Sequence, residues 1–124
     1  MATVNQGSRW FLMAEQLPEL AEEIRTLLNN RMFEGDSTFT PEELEALSQS
    51  VDGLRILSRC RCGDDFCASF STGDQPEADY GRQRTLIADG VEGILNLDVL
   101  NGRIIEVDVL YRPEVKAKLD ALFP

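Results

Sequence analysis

The chain has 124 residues, with 12 Lys and Arg against 22 Asp and Glu, and a formal net charge of −10 at pH 7. This length predicts one domain, spanning residues 1–124, that can bury a hydrophobic core without the help of a metal or a disulfide. A surface of this charge repels phosphate backbones and anionic membranes, which argues against nucleic-acid and membrane partners, and it would attract a basic partner. Taken alone, the acidity is better explained as keeping a small protein soluble.

Two N-terminal helices are predicted after a loose start at residues 1–8. Pro18 suits the first turn of the first helix, where a missing backbone N–H costs nothing. The second helix begins at Thr40, which can form a capping box with Glu43, and Pro41 occupies its first position. The apolar residues of the first helix recur at helical spacing: Leu17, Leu20, Ala21, Ile24, Leu27 and Leu28.

From Leu54 the apolar period changes to two, which is the spacing of a β-strand. A three-residue turn at residues 63–65 would join this strand to a second one that starts at Phe66. That turn sets the register of the hairpin, and it places Cys60 beside Ala68.

Residues 71–82 are polar and contain Gly and Pro, which predicts a long mobile loop. A short strand is predicted at residues 83–88, followed by two strong strands on either side of residues 101–102. Residues 112–114, Arg-Pro-Glu, then open a C-terminal helix.

The hairpin around Asn101 and Gly102 allows a test of register. A two-residue turn would place Leu97 opposite Glu106, so that apolar side chains would face acidic ones along the ladder. A three-residue turn with Gly102 in the left-handed bulge position pairs Leu97 with Ile105 instead. The polar side chains then share one face, part of which must be wet: Asn96, Asp98, Glu106 and Asp108.

Together these elements predict an α+β fold. Two N-terminal helices precede about five antiparallel strands in a meander sheet, and a C-terminal helix closes the chain. The helices are expected on one face of the sheet, where they cover its apolar side chains.

Cys60, Cys62 and Cys67 are the first candidate site. Three thiolates could bind a metal, but zinc sites usually take four ligands from Cys-x-x-Cys pairs, and the spacing here is Cys-x-Cys-x4-Cys. In the predicted register Cys67 also points to the opposite face, so a metal site would need a bulge. We therefore interpret the three cysteines as small buried apolar residues, and a metal or redox site remains the alternative.

Clustered carboxylates offer two further candidates. Asp64 and Asp65 are adjacent in the predicted turn and could form a catalytic dyad, although neighbouring side chains usually point apart and a solvated turn is the simpler interpretation. Asp98, Glu106 and Asp108 could chelate a divalent cation, but a wet sheet face is the preferred interpretation.

The chain contains no histidine, and its three cysteines are an odd number. The absence of histidine removes the commonest general base, so we do not expect an enzyme. An odd cysteine count does not suit a secreted disulfide framework, and no segment has the pattern of a signal peptide or a membrane helix. We therefore expect a cytoplasmic protein without a cofactor.

The second half of the chain resembles a layout found in small uncharacterised bacterial proteins. In that layout a strand ending in Cys-x-Cys-Gly turns into a strand with a further Cys, and a Gly-led hairpin with Asn-Gly or Asp-Gly at its turn follows. The stretches that carry the resemblance are "SRCRCGDDFCASF" and "GILNLDVLNGRIIEVDVL", within roughly residues 54–122. The matching positions are Cys60, Cys62, Gly63, Cys67, Gly93, Gly102 and Arg103.

The chain is also loosely similar to small acidic immunity proteins encoded beside polymorphic toxins. This similarity and the net charge lead us to expect a protein-binding module, most concretely an immunity protein that binds and neutralises a basic toxin domain. The expected contact residues lie on the hairpin tip and the adjoining loop: Asp64, Asp65, Asp74, Glu77, Asp79 and Tyr80. A small metal-binding or redox protein that uses Cys60, Cys62 and Cys67 is the alternative.

Overall fold

A computed structural model describes residues 9–74, 79, 81–89 and 92–124. The predicted loose start at residues 1–8 and part of the predicted loop at 71–82 lie outside the described residues. The helices are α1 (Met13–Gln16), α2 (Pro18–Asn29), α3 (Pro41–Ser50) and α4 (Pro113–Leu122). The strands are β1 (Phe11–Leu12), β2 (Arg55–Ile56), β3 (Ser58–Arg59), β4 (Phe70–Ser71), β5 (Arg84–Asp89), β6 (Ile94–Leu100) and β7 (Arg103–Leu110).

The described N-terminal region holds three helices, not the two that were predicted. A short helix, α1, precedes α2, and the break falls at Leu17, which has φ −133° and ψ 61°. Leu17 is followed by Pro18, whose ring disfavours the helical conformation of the residue before it. The proline therefore starts a new helix instead of lying inside a longer one.

The start of α3 confirms the predicted capping box. The Thr40 hydroxyl accepts a hydrogen bond from the Glu43 backbone N–H at 3.0 Å, and the Glu43 carboxylate accepts one from the Thr40 N–H at 2.8 Å. Pro41 occupies the first helical position. Local side-chain chemistry is sufficient to begin this helix.

The main sheet has the strand order β3-β4-β7-β6-β5, and its pairs are antiparallel. Only β5, β6 and β7 form a meander, because β4 pairs with β7 and β5 lies at the far edge. The prediction of a simple meander was therefore wrong. The connection from β4 to β5 is long enough to cross the sheet, which lets β7 lie between two partners.

The strand predicted from Leu54 onward is divided between two sheets. Its first part, β2, pairs with β1 in a separate two-stranded sheet. Its second part, β3, pairs with β4 in the main sheet. The change of partner occurs at Leu57, whose N–H donates to the Ser71 carbonyl at 2.9 Å.

The β6–β7 hairpin has a two-residue turn, so the predicted three-residue turn was wrong. Asn101 and Gly102 both have left-handed backbones, with φ of 53° and 78°, as a tight hairpin turn requires. A register shift beside the turn then places Leu97 opposite Val107 instead of Ile105. The shift restores the parity of the two strands, and the predicted separation of apolar and polar faces is confirmed.

The hydrophobic core lies between the inner face of the main sheet and the helices. Sheet residues and helix residues contribute to one cluster, including Val115 and Leu119 of α4. No helix in the described ranges is long and apolar enough to pass through a lipid bilayer. The outer face of the sheet has no helix layer described on it. It carries the cysteine and carboxylate groups described below.

Candidate functional site

The β3–β4 hairpin has a register one residue away from the predicted one. Ser58 lies opposite Ser71, and the Cys60 N–H donates to the Ser69 carbonyl at 2.8 Å. Continued along the hairpin, this register places Cys62 opposite Cys67. The turn between them therefore holds four residues instead of three.

This shift brings the three sulfur atoms together, within 4.8 Å of one another. Side chains alternate between the two faces of a strand, so a slip of one residue moves every side chain to the other face. The expectation that Cys67 points away from Cys60 and Cys62 was therefore wrong. The interpretation as buried apolar residues was also wrong, because Cys60 and Cys62 are exposed and Cys67 is half-buried.

Cys67 is anchored by Ser69. Its thiol donates to the Ser69 hydroxyl at 3.5 Å, and that hydroxyl also accepts the Val109 N–H at 3.2 Å. Burial raises the pKa of Cys67, but hydrogen bonds with Ser69, Cys60 and Cys62 together outweigh it and lower the pKa overall. Cys67 therefore ionises more readily than Cys60.

Cys60 behaves in the opposite way. A hydrogen bond with the Cys62 backbone lowers the pKa of Cys60, yet burial and the neighbouring Cys62 and Cys67 thiols raise it to about 11 overall. Thiols this close titrate together, and the first thiolate makes the next ionisation harder. A positive ion between the sulfurs would reverse that penalty.

A carboxylate cluster lies on the same outer face of the sheet. Asp98, Glu106 and Asp108 each place a carboxylate oxygen within 4.8 Å of the others. All three side chains are half-buried, which confirms that they share a partly wet face. The Thr85 hydroxyl donates to Asp98 at 2.8 Å and holds one member of the cluster in place.

Glu106 keeps a proton near neutral pH. A hydrogen bond with Asp108 is the largest cause, followed by burial and the negative charges of Asp108 and Asp98, and together they raise the pKa of Glu106 to about 8. Glu106 therefore holds a proton at neutral pH, beside Asp108.

The Glu106 proton makes stability depend on pH. The folded state holds the Glu106 proton up to about pH 8, whereas an ordinary glutamate releases it near 4.5. Stability from this group is therefore complete below pH 4.5 and is lost as pH rises toward 8. Because Glu106 is partly solvated, we expect a loss of about 1–2 kcal/mol after solvent screening.

Chemical denaturation across this pH range measures the effect. The Glu106→Gln variant should lack the decline and should exceed the wild type in stability at the alkaline end. Glu15→Gln, an exposed substitution on α1, controls for the loss of one negative charge. Parallel stability curves for the wild type and Glu106→Gln would show that the pKa of Glu106 is not raised in the folded state.

An exposed aromatic pair lies at the same end of the sheet as the thiols. The rings of Phe66 and Tyr111 stack with centroids 5.3 Å apart and an interplanar angle of 24°. They remain 42% and 55% exposed. The Tyr111 N–H donates to the Phe66 carbonyl at 2.8 Å, so the backbone holds the pair together.

Tyr111 has a left-handed backbone, with φ 66°, which bulky residues rarely adopt. Gly93 makes room for it, since a Cβ at this position would lie 2.0 Å from the Leu110 carbonyl oxygen and 3.1 Å from the Tyr111 Cβ. Sequence reasoning included Gly93 in the matched layout but did not identify the two aromatic residues. Their positions, after an acidic turn and before Arg-Pro, were the available signal.

A groove of about 670 Å³ is lined in part by Arg112, the residue after Tyr111. Its buried cation is Arg112, which donates to Glu23 at 3.0 Å and to Glu114 at 2.8 Å. Carboxylates outnumber this single guanidinium, so the groove is negative. Its lining residues are Glu19, Glu22, Glu23, Thr26, Leu27, Met32, Asp89, Glu92, Arg112 and Glu114.

The predicted contact residues fall in two places. Asp64 and Asp65 are exposed in the turn before Phe66. Asp74 and Asp79 lie at the other end of the sheet, where they line a second groove with the β6–β7 turn. Glu77 and Tyr80 lie outside the described residues.

The aromatic pair and four carboxylates near it in the chain form what we call the aromatic–acidic surface: Phe66, Tyr111, Asp64, Asp65, Glu92 and Glu114.

No protein-family model matches the chain, and no curated protein or solved structure matches it significantly. Its function is therefore inferred from the side chains described above.

Proposed function

We propose that the protein is a binding module that docks a basic protein partner on the aromatic–acidic surface. The observation that carries the proposal is the stacked pair of Phe66 and Tyr111, which remains 42% and 55% exposed. Large aromatic side chains surrounded by polar residues are typical of the central contacts of protein interfaces. The pair would enter an apolar pocket of the partner.

The backbone at Tyr111 supports a role in binding over a role in packing. A left-handed conformation costs a bulky residue about 1–2 kcal/mol, and the exposed ring recovers little of that by burial. Gly93 leaves room for this conformation, because a side chain at Gly93 would clash with the Leu110 carbonyl oxygen. Backbone strain that is held in place by its surroundings is concentrated at functional sites.

The charge around the pair favours a basic partner. Asp64 and Asp65 are exposed in the turn that holds Phe66, and Glu92 and Glu114 are exposed next to Arg112, the residue after Tyr111. The whole chain carries a net charge of −10. Arg61, two residues before the hairpin turn, carries the opposite charge. Such a field raises the association rate with a positively charged protein and disfavours acidic ones.

The narrower proposal is that the partner is a toxin domain and that the protein is its cytoplasmic immunity protein. The resemblance of residues 54–122 and the acidity of the chain support it. An acidic surface can block a basic active site that binds a phosphate-bearing substrate. Co-expression with the identified partner tests it: the partner should be toxic alone and harmless beside this protein.

The docking surface is tested by capturing partners from cells that produce the chain and measuring the affinity of each purified candidate. The double variant Phe66→Ala/Tyr111→Ala should bind at least about 30-fold more weakly, because residues of this kind contribute 2 kcal/mol or more. Trp10→Ala is the matched control. Trp10 is a 44% exposed aromatic residue that packs on Arg55, away from this surface.

Salt dependence tests the electrostatic part separately. The association rate should fall as salt rises, because exposed charges are screened over about 8 Å at physiological ionic strength. A partner that binds the double variant as tightly as the wild type would refute this surface. An association rate that does not change with salt would refute the basic partner.

A further inference from the structure

We propose that Cys60, Cys62 and Cys67 bind one zinc ion through three thiolates, with a water molecule in the fourth coordination position. The inference goes beyond docking, because it concerns the thiol face of the hairpin and needs neither Phe66 nor Tyr111. It stands on the positions of the three sulfur atoms.

The spacing of the sulfurs suits one ion. A Zn–S distance of about 2.3 Å in a tetrahedral site places the sulfurs about 3.8 Å apart. The three sulfurs of the structure lie within 4.8 Å of one another. Closure on the ion therefore requires movements of about 1 Å or less, which side-chain rotation supplies.

The backbone beneath the thiols is fixed by hydrogen bonds. The Cys60 N–H donates to the Ser69 carbonyl at 2.8 Å, and the Cys67 N–H donates to the Asp64 carbonyl at 3.3 Å. Cys67 also forms a β-bridge with Leu110 of the central strand β7. The ligands are thus held at the end of a hairpin while the exposed Cys60 and Cys62 side chains stay free to reorient.

The donor set selects a soft ion. Thiolates favour zinc, copper(I) and iron–sulfur clusters over magnesium or calcium. Among the described residues, the group that contains the sulfurs includes no carboxylate, and the chain has no histidine. Three protein ligands with a fourth position open to water are typical of zinc sites that exchange a ligand, in contrast to closed structural sites.

Ser69 is a positioning residue for Cys67. Its hydroxyl lies 3.5 Å from the Cys67 sulfur, and the residue is only 6% exposed. When Cys67 is a thiolate, the hydroxyl can turn to donate to the sulfur and orient it. Loss of such an outer contact lowers metal affinity by about 10–100-fold, so Ser69→Ala should weaken zinc binding within that range.

Zinc content and cobalt substitution test the proposal on the full chain. Protein purified under reducing conditions without chelator should retain one zinc per chain. Cobalt(II) added to the metal-free chain should give the near-ultraviolet absorption of a thiolate–cobalt bond, and zinc should displace it. The triple variant Cys60→Ser/Cys62→Ser/Cys67→Ser should lose both signals.

Two controls separate this site from its neighbours. Asp98→Asn/Asp108→Asn alters the carboxylate cluster and should retain zinc, and Phe66→Ala/Tyr111→Ala should retain it as well. The single variant Cys62→Ser replaces an exposed side chain and should keep the wild-type circular dichroism while zinc affinity falls. Failure of the docking test would leave these results unchanged.

Each opposite result overturns the proposal. Wild-type protein with no stoichiometric zinc and no thiolate–cobalt absorption refutes the site. Zinc retained by the triple serine variant, or lost with Asp98→Asn/Asp108→Asn, places the metal elsewhere. Binding of copper(I) without binding of zinc refutes the assignment of the ion.

Discussion

Gly93→Ala should lower the free energy of unfolding by about 2–5 kcal/mol, the sum of a strained left-handed backbone and an overpacked contact. Gly93 has φ 73°, and a Cβ there would lie 2.0 Å from the Leu110 carbonyl oxygen. Leu110 is in β7, at the centre of the sheet order, so the backbone cannot move away without breaking the ladder with β6. Urea denaturation followed by circular dichroism measures the loss.

Gly63→Ala is the matched control for this substitution. Gly63 also has a positive φ, 86°, but nothing lies within 4 Å of the position of its Cβ. Its replacement should therefore cost only the backbone strain of about 1–2 kcal/mol. Equal losses for the two variants would mean that the close approach of Gly93 to Leu110 is not important for stability, and that Tyr111 is held by other contacts.

Arg112→Ala should cost about 3–5 kcal/mol, the loss expected when one partner of a buried ion pair is removed. The side chains of Arg112 and Glu23 are only 8% and 7% exposed, and their charged atoms are 3.0 Å apart. Removal of the guanidinium leaves the Glu23 carboxylate in a poorly solvated position without this neutralising charge. Thermal and urea unfolding both report the loss.

A double variant separates the charge from the packing. Arg112→Met/Glu23→Leu removes both charges and keeps apolar volume, so it should be more stable than Arg112→Ala. Arg25→Ala is the surface control. Arg25 pairs with the exposed Glu22 and Asp52, and its loss should cost less than about 1 kcal/mol. Comparable losses for Arg25→Ala and Arg112→Ala would contradict the importance of burial.

Features that depend on neighbouring residues could be predicted from the sequence. The capping box of Thr40 and Glu43, the proline start of α4 and the apolar face of β6 are all present in the structure. Each depends on residues a few positions apart, whose hydrogen bonds or periodicity do not need the rest of the fold. The α+β class follows from the order of such segments.

Which strands pair with each other could not be predicted from the sequence in the same way. The pairing of β4 with β7 and of β1 with β2 depends on which distant apolar faces fill the core together. Turn length carried the same uncertainty: an Asn-Gly turn combined with a bulge and a three-residue turn both keep Leu97 on the buried face. The polar face was predicted correctly because either turn produces it.

The candidate site shows this division most clearly. The sequence by itself determined the ingredients: three thiols without histidine, an acidic turn at Asp64 and Asp65, and a strongly negative chain. Only the tertiary structure decided that the thiols converge and that Phe66 meets Tyr111. The physical reason is that side chains alternate with a period of two, so a single residue of register in the β3–β4 hairpin decides whether Cys67 joins Cys60 and Cys62 or faces away. The pairing of β4 with β7, between residues far apart in the chain, decides which face of β4 packs against the core.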